Sequence, residues 1–373
     1  MIERAYLDDA RTGAGLARLE AEVARLMALF AEAGAVRVDP AALLPADTLL
    51  DLYGEDIRAR AFATQDGEGE LVLRPDFTVP IVQRHMEQGA EPARYAYAGP
   101  VWRRQGAGSS RAREYLQVGF ELFDGANPAA ADAEVFALIA TALEGCGLRA
   151  ATGDLGLLMA AIEGLTTSPA RRAALRRHLW RPARFHRLLD RFAAPDALRP
   201  ALDIPVTQIE AAVRAGGKPL GKRAVAEVVA RIHRLQEEAA SAPLHAGEVA
   251  VIEALLDLRA PAPEALSRLR DLAAETASLR PAVDRFARRL DALAGRGVSV
   301  DALPFEGAFG RTTLEYYDGF VFGFYAEDRE DLPVIASGGR YDALTRVLGA
   351  GQGVPAVGGM IRPEALLALE AGR

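Results

Sequence analysis

Residues 95–123 read YAYAGPVWRRQGAGSSRAREYLQVGFELF: a strand, an arginine-bearing loop and a returning strand. On the returning strand Leu116, Val118, Phe120 and Leu122 alternate on one side, while Arg113, Tyr115, Gln117 and Glu121 occupy the other, as the two-residue period of a β-strand requires. A half-buried strand facing water shows the same alternation. The pattern alone therefore leaves two readings open, a solvated polar face or one wall of a cavity. Arg103, Arg104 and Arg111 on the loop, with Gly106 and Gly108, make the cavity a serious alternative, because a small ligand bearing both charges needs cations and carboxylates in one place.

A chain of 373 residues can bury a large core and is expected to divide into two domains. Hydrophobic residues make up 50% and charged residues 25%, the balance of a soluble globular protein. The net charge of -7 argues against nucleic-acid binding through bulk charge. Cys146 is the lone cysteine, which excludes an intramolecular disulfide framework and fits a reducing compartment. The histidines, His85, His178, His186, His233 and His245, are scattered without metal-ligand spacing, so no structural metal is expected. The opening MIERAYLDDARTG lacks an apolar signal core, and no run approaches the length of a membrane span. A cytoplasmic protein is expected.

Three zones follow along the chain. The first, 1–165, is mixed: a helix over about 14–33 carries Leu16, Leu19, Val23, Leu26, Met27 and Phe30 on one face. Strands are expected near 71–74, 94–103 and 113–123, and a second helix near 130–144. The second zone, 166–296, is rich in Ala, Leu and Arg with helical periodicity, broken at Pro182, Pro195, Pro200, Pro205, Pro261 and Pro263. It reads as a helical domain inserted between strands. The third, 297–373, recovers strand character at LEYYDGFVFGFYAE and PVIASG and closes with a helix from about 363. The core is therefore expected to be discontinuous in sequence.

At this point four segments in order resemble the histidyl-tRNA synthetases. LRPDFTVP at 73–80 is similar to their LRPEGT segment, and GPVWRRQGAGSSRAREYLQVGFELF to their motif 2. LEYYDGFVFGF at 314–324 resembles their histidine-specific LDYYTGTVFEF, while GGRYDAL followed by PAVGG resembles the approach to motif 3. Pro40 would match the motif 1 proline that helps build the class II dimer. The resemblance implies an α+β fold: a class II aminoacyl-tRNA synthetase-like antiparallel sheet flanked by helices. A helical insertion domain at 166–296 and no anticodon-binding domain are expected with it.

Three departures from that pattern remove charge. Gln105 stands where motif 2 has the glutamate that engages ATP, Ala365 where motif 3 has its phosphate-facing arginine, and Thr312 where the catalytic arginine is expected, with Arg311 one position off. Adenylyl transfer depends mainly on such positioned charge, so no catalytic residues are assigned. The amino-acid pocket is largely kept: Asp76, Thr78, Gln117 and Glu121 match positions that grip the histidine ammonium and its surroundings, and Glu315, Tyr316, Tyr317 and Tyr341 fall on the histidine-recognition segments. Arg103 or Arg113 would face the ligand carboxylate, and Arg111, Arg113 and Arg311 are candidate anion contacts. A site that holds histidine without activating it is similar to that of the synthetase-like regulatory subunits of ATP phosphoribosyltransferase. That resemblance implies a short-form catalytic subunit as partner, histidine as effector, a homodimer within a hetero-oligomer, and no cofactor. The alternatives are an active class II ligase, which Arg103, Arg111 and Arg113 would suit, and a tRNA-binding paralogue.

Each feature also has a plainer interpretation. Glu315, Tyr316 and Tyr317 would suit a half-buried strand with an exposed acid, and Arg340 with Asp342 a surface pair beside a turn at Gly338 and Gly339. The arginines at 171, 172, 176, 177, 181, 184, 187 and 191 would suit either a solvated helix face, a contact with an acidic partner, or a phosphate-binding patch.

Overall fold

The computed structural model describes residues 11–46, 54–106, 109, 111–194, 204–217, 224–312 and 315–371. Gly108, Pro195, Pro200 and Leu314, all singled out above, lie outside the described residues. The strands are β1 (Val36–Arg37), β2 (Leu43–Pro45), β3 (Ala63–Gln65), β4 (Glu70–Leu73), β5 (Ala93–Trp102), β6 (Glu114–Phe123), β7 (Arg149–Asp154), β8 (Arg259–Pro261), β9 (Pro304–Glu306), β10 (Phe320–Tyr325), β11 (Ala336–Arg340) and β12 (Ala356–Ile361). Nine form one sheet in the order β1-β5-β6-β12-β11-β10-β7-β9-β8, and β2-β4-β3 form a small second one. From β5 to β7 the main sheet is antiparallel throughout; the parallel pairs β1–β5 and β7–β9 lie toward its edges.

Sequence periodicity and structure agree on the helix Gly13–Glu32, which buries Leu19, Leu26 and Phe30. It ends where Gly34 adopts φ +83, the left-handed conformation that glycine takes without a Cβ penalty. The helix Pro128–Ala142 starts at a cap written in the sequence: the Asn127 side chain accepts the Ala130 N–H at 3.1 Å and Pro128 occupies the first turn. Several prolines of the middle zone act likewise, since Pro169, Pro182, Pro263 and Pro281 stand in the first turns of helices. They begin helices whose first N–H groups have no intrahelical partner anyway.

One face of the sheet packs on the helices Gly13–Glu32 and Pro128–Ala142. Phe30 meets Phe120 with ring centroids 5.7 Å apart, and Phe136 meets Phe322 and Phe324 at 5.3 and 5.4 Å. The stretch 166–296 is mainly helical, yet pieces of it join the sheet layer. β8 adds to the sheet edge against β9, and the helix Arg280–Gly295 sends Arg289 into the core. There Arg289 donates to Asp132 Oδ2 at 2.9 Å and to Asp154 Oδ2 at 2.6 Å, while Arg340 donates to Asp132 Oδ1 at 2.9 Å and to Asp342 at 2.8 Å. Arg340 and Asp342 are thus part of a buried network, which corrects the surface-pair interpretation. Two strand expectations also change. EYYDG at 315–319 is a turn, with β10 beginning only at Phe320, and β7 at RAATGD carries no alternation that marks it.

The register β6–β12 places Gly358 opposite Glu121 and Gly359 opposite Phe120. A Cβ on Gly358 would lie 1.6 Å from Glu121 Oε2, whereas Gly359 faces Ile139 of the helix layer. The sheet therefore separates a helix-covered face from a face that carries Glu121.

Two expected outcomes test this architecture. Arg289→Met leaves Asp154 buried without its cation and should cost about 3–5 kcal/mol of unfolding free energy in urea. Gly358→Ala should cost about 1–3 kcal/mol through overpacking. Combined with Glu121→Ala, which removes the obstructing carboxylate, its cost should shrink in a double-mutant cycle; strict additivity would count against the described register.

Candidate functional site

The Glu121 face of the sheet is the floor of a cavity of about 210 Å³. Gln117 and Glu121 are 2% and 1% exposed, so this part of the returning strand's polar side is a wall and not a wet surface. Gly119 sits between them, and a Cβ there would lie 2.2 Å from the Tyr97 ring. The missing side chain lets Tyr97 of β5 close the floor.

One side of the cavity is the segment leading into the helix Thr78–Gln88. The Arg74 guanidinium holds it: its carbon lies 4.0 Å from the Phe77 ring centre and its Nε donates to Pro100 O at 3.0 Å. Gly99 leaves the room for this, since a Cβ would sit 2.8 Å from Arg74 Nη2. Phe77 in turn stacks on Tyr97 at 4.4 Å. Asp76 and Thr78 are thereby presented to the cavity from a rigid anchor.

The opposite side is the turn carrying Tyr316 and Tyr317, together with Tyr341 at the end of β11. Asp318 clasps these two pieces. Its N–H donates to Arg340 O at 3.0 Å, and its carboxylate accepts the N–H groups of Asp342 at 3.0 Å and Ala343 at 2.6 Å. Burial, with Asp342 nearby, pushes the Asp318 carboxyl up to about 7.

Hydroxyls meet the carboxylates inside. Thr78 donates to Glu121 Oε1 at 2.8 Å, Tyr341 to Glu121 Oε2 at 2.5 Å, and Tyr316 to Asp76 Oδ2 at 3.3 Å. Burial is the main cause that pushes the Glu121 carboxyl up to about 7; the Asp76 charge adds to it and the hydroxyl donors oppose it. Among the described residues Glu121 takes part in no salt bridge. Four arginines, Arg60, Arg103, Arg111 and Arg362, line both this cavity and a neighbouring one of about 430 Å³. Arg103 Nε donates to Pro75 O at 2.9 Å, and the Arg362 guanidinium lies 5.4 Å from the Tyr115 ring centre.

Of the residues expected from the sequence, Asp76, Thr78, Arg103, Arg111, Gln117, Glu121, Tyr316, Tyr317 and Tyr341 come together on this wall. Glu315, Arg113 and Arg311 do not line it. Glu315 turns outward to Arg181 at 3.4 Å. Arg113 is exposed and stands outside the lining. Arg311 is buried against the helical segment, donating to Leu179 O at 2.9 Å with its guanidinium 4.7 Å from the Phe185 ring centre. Thr312 lines the cavity in its place. Sequence reasoning missed Arg60, Tyr97 and Gly358 as lining residues; only the β5–β6–β12 register and the folding back of the 54–60 helix reveal them.

The second cavity holds two of the three positions where the synthetase pattern is broken, Gln105 and Ala365. Gln105 donates to Ala112 O at 3.1 Å, and Ala365 presents a methyl group. Glu364 accepts the Leu116 N–H at 2.9 Å and pairs with Arg11, so an acid occupies the wall of this space. The arginines of 171–191 are largely engaged within the chain. Arg171 binds the carbonyls of Glu238, Ser241 and Ala242 at 2.7–3.3 Å at a helix C-terminus. Arg176 pairs with Glu163 at 2.8 Å, Arg181 with Glu315, and Arg191 with Glu238. A phosphate-binding stripe finds little free charge there.

A family model described as histidyl-tRNA synthetase matches residues 13–240 and 222–366. A protein of Sinorhizobium medicae named ATP phosphoribosyltransferase regulatory subunit is 34% identical over 356 residues, 89% of this chain and 93% of the relative. One of Agrobacterium fabrum with the same name is 33% identical over 355 residues, covering 89% and 92%. Among solved structures, an ATP phosphoribosyltransferase regulatory subunit/histidyl-tRNA synthetase from Bacillus halodurans superposes with a TM-score of 0.71 at 22% identity, covering 99% of this chain and 83% of that one. A histidine–tRNA ligase subunit from Alicyclobacillus acidocaldarius gives 0.61 at 24%, covering 100% and 99%; both support the fold. With an antiparallel sheet of this order, a buried amino-acid-sized cavity and relatives matched along nearly their full length, the chain belongs to the family of ATP phosphoribosyltransferase regulatory subunits, built on the class II histidyl-tRNA synthetase fold.

Proposed function

We propose that this chain senses histidine in the 210 Å³ cavity and, in the cytoplasm, regulates a short-form ATP phosphoribosyltransferase catalytic subunit as a homodimer within a hetero-oligomer. The observation that carries the reading is the pairing of two buried carboxylates with four tyrosines in one cavity that four arginines also line. Histidine brings an ammonium, a carboxylate and an imidazole. Asp76 and Glu121 face the ammonium, Arg103 and its neighbours the carboxylate, and Tyr316, Tyr317 and Tyr341 the ring. The names of the relatives support the catalytic partner, and exposed Val36 and Leu43, near Pro40, support a self-association surface. Feedback then requires only that histidine favour one quaternary state by about 1–3 kcal/mol.

A second reading, an active amino-acid-activating ligase, draws on Arg103, Arg111 and Arg362 beside the larger cavity. Against it stand Ala365 and Gln105 where phosphate-directed charge is needed, and Glu364 in the wall.

Two measurements separate these readings. Histidine-dependent ATP–pyrophosphate exchange by the purified protein should be absent, and measurable exchange would establish the ligase. In the complex reconstituted with the catalytic subunit, Glu121→Ala should raise the histidine concentration needed for inhibition at least tenfold, because truncating one partner of a desolvated charged pair costs about 2–5 kcal/mol. Activation by the mutant should persist. An unchanged inhibition curve in a folded mutant would move the effector site elsewhere.

A further inference from the structure

Arg181, Arg311 and Glu315 lie outside the cavity lining, yet all three belong to one junction. It joins the turn that bears Tyr316 and Tyr317 to the corner His178–Arg181, which connects the helices Pro169–Arg177 and Pro182–Ala193. Arg181 donates to Glu315 Oε1 at 3.4 Å, the two side chains being 20% and 19% exposed. Arg311 reaches the same corner from the other end of its segment, with Nε on Leu179 O at 2.9 Å and the guanidinium 4.7 Å from the Phe185 ring centre. The tyrosine wall is thus fastened to two neighbouring residues of the helical segment.

Its two ends are held unequally. Asp318 ties the far end of the turn through backbone bonds with Arg340, Asp342 and Ala343. The near end rests on the longer Arg181–Glu315 pair, in a junction that is incompletely bonded. Arg311 is buried, and its Nη2 meets no acceptor among the described residues; the same holds for Trp180 Nε1 within the corner. Buried donors left unsatisfied cost free energy, so this junction lies closer to its alternative arrangements than the aspartate clasp does.

The corner is also the start of a rigid arm. Arg181 O accepts the N–H groups of Arg184 and Phe185, each at 2.9 Å, and so begins the helix Pro182–Ala193. Its 12 residues span about 18 Å. At the other end Phe192 O accepts the Leu244 N–H at 2.9 Å, and Arg191 pairs with Glu238. A shift at Arg181 is therefore carried along the helix to the segment 238–244.

Resting on the reading that histidine occupies the cavity, we infer that Arg181, Arg311 and Glu315 are positioning residues that pass the seating of the ligand's ring against Tyr316 and Tyr317 to the helix Pro182–Ala193. An occupied cavity presses the turn into its clasped position and tightens the corner. An empty one leaves the Glu315 end free to exchange between arrangements. The helical segment thereby reads occupancy of a cavity that it does not line, and by linkage the same junction adds to the ligand's affinity.

Hydrogen exchange of the full-length protein, with and without saturating L-histidine, tests the junction in wild type, Arg181→Glu, Glu315→Arg and the double swap. Isothermal titration of each with L-histidine gives its affinity. In wild type, histidine should slow amide exchange over 182–193 by about fivefold or more, the lower end of ordinary coupling between two sites. Each single reversal should lose that slowing at saturating histidine while its affinity falls by no more than the same factor, and the double swap should restore both. A merely structural pair would instead speed exchange equally with and without ligand. Should a reversal fail to fold, Glu315→Gln, which keeps the shape and removes the charge, replaces it with the same expected loss. Slowing that persists in the folded single variants, or a swap that restores nothing, would overturn the coupling. Wild type that binds histidine with no change over 182–193 would also overturn it, leaving the histidine-sensing reading intact, whereas failure of histidine to bind would remove both.

Discussion

A carboxylate held almost without solvent in the middle of a β-sheet is the constraint around which the rest of this structure is arranged. Glu121 is 1% exposed, and removing its charge from water is costly unless other groups replace that hydration. The replacement is assembled from four separate elements. β6 carries the acid, β12 yields space through Gly358, the helix Thr78–Gln88 supplies one hydroxyl, and the residue after β11 supplies the other. None of these contacts is local in the chain. Thr78 and Tyr341 stand 43 and 220 positions away from Glu121.

The supporting parts are rigid, and the cause is again buried charge. Asp132 accepts from both Arg289 and Arg340, tying the outer helix Arg280–Gly295 to β11. Asp342 then accepts from Arg340 and from the Ala356 N–H at 2.9 Å, fixing the start of β12. Asp318 joins the tyrosine turn to the same place. Breaking a pair in such a network leaves a buried charge uncompensated, so its geometry is over-determined. Tyr341 is held beside Glu121 by a framework whose other end lies in the helical layer.

The chain keeps the fold of a synthetase while its two cavities have different chemical characters. The smaller is acidic and hydroxyl-lined within, and the larger has its wall altered at Gln105, Glu364 and Ala365. In the larger cavity Glu364 pairs with Arg11 and accepts the Leu116 N–H, so its charge is already spent within the chain. The carboxylates and hydroxyls of the smaller cavity and the altered positions of the larger one are separate groups, so one set can change without the other.

Much was legible from residue order alone. The 3.6-residue spacing of Leu19, Leu26 and Phe30 marks a helix, and the alternation through Leu116–Leu122 marks a strand, because each backbone geometry imposes its own period on burial. The ordered motifs placed Asp76, Thr78, Gln117, Glu121 and the tyrosines in one neighbourhood. β7 is unmarked in the sequence, because a strand buried on both faces need not alternate, and the aromatic residues of EYYDG suit strands and packed turns alike. By itself, then, the sequence determined the elements, the family resemblance and most of the cavity's chemical inventory, since these depend on local spacing and residue type. Only the tertiary structure decided that the polar face is dry, that Gly358 makes room for Glu121, and that Glu315 and Arg311 turn away toward the helical segment. Those outcomes depend on strand register and on which distant groups compete for each charge, and neither is encoded in any short stretch of chain.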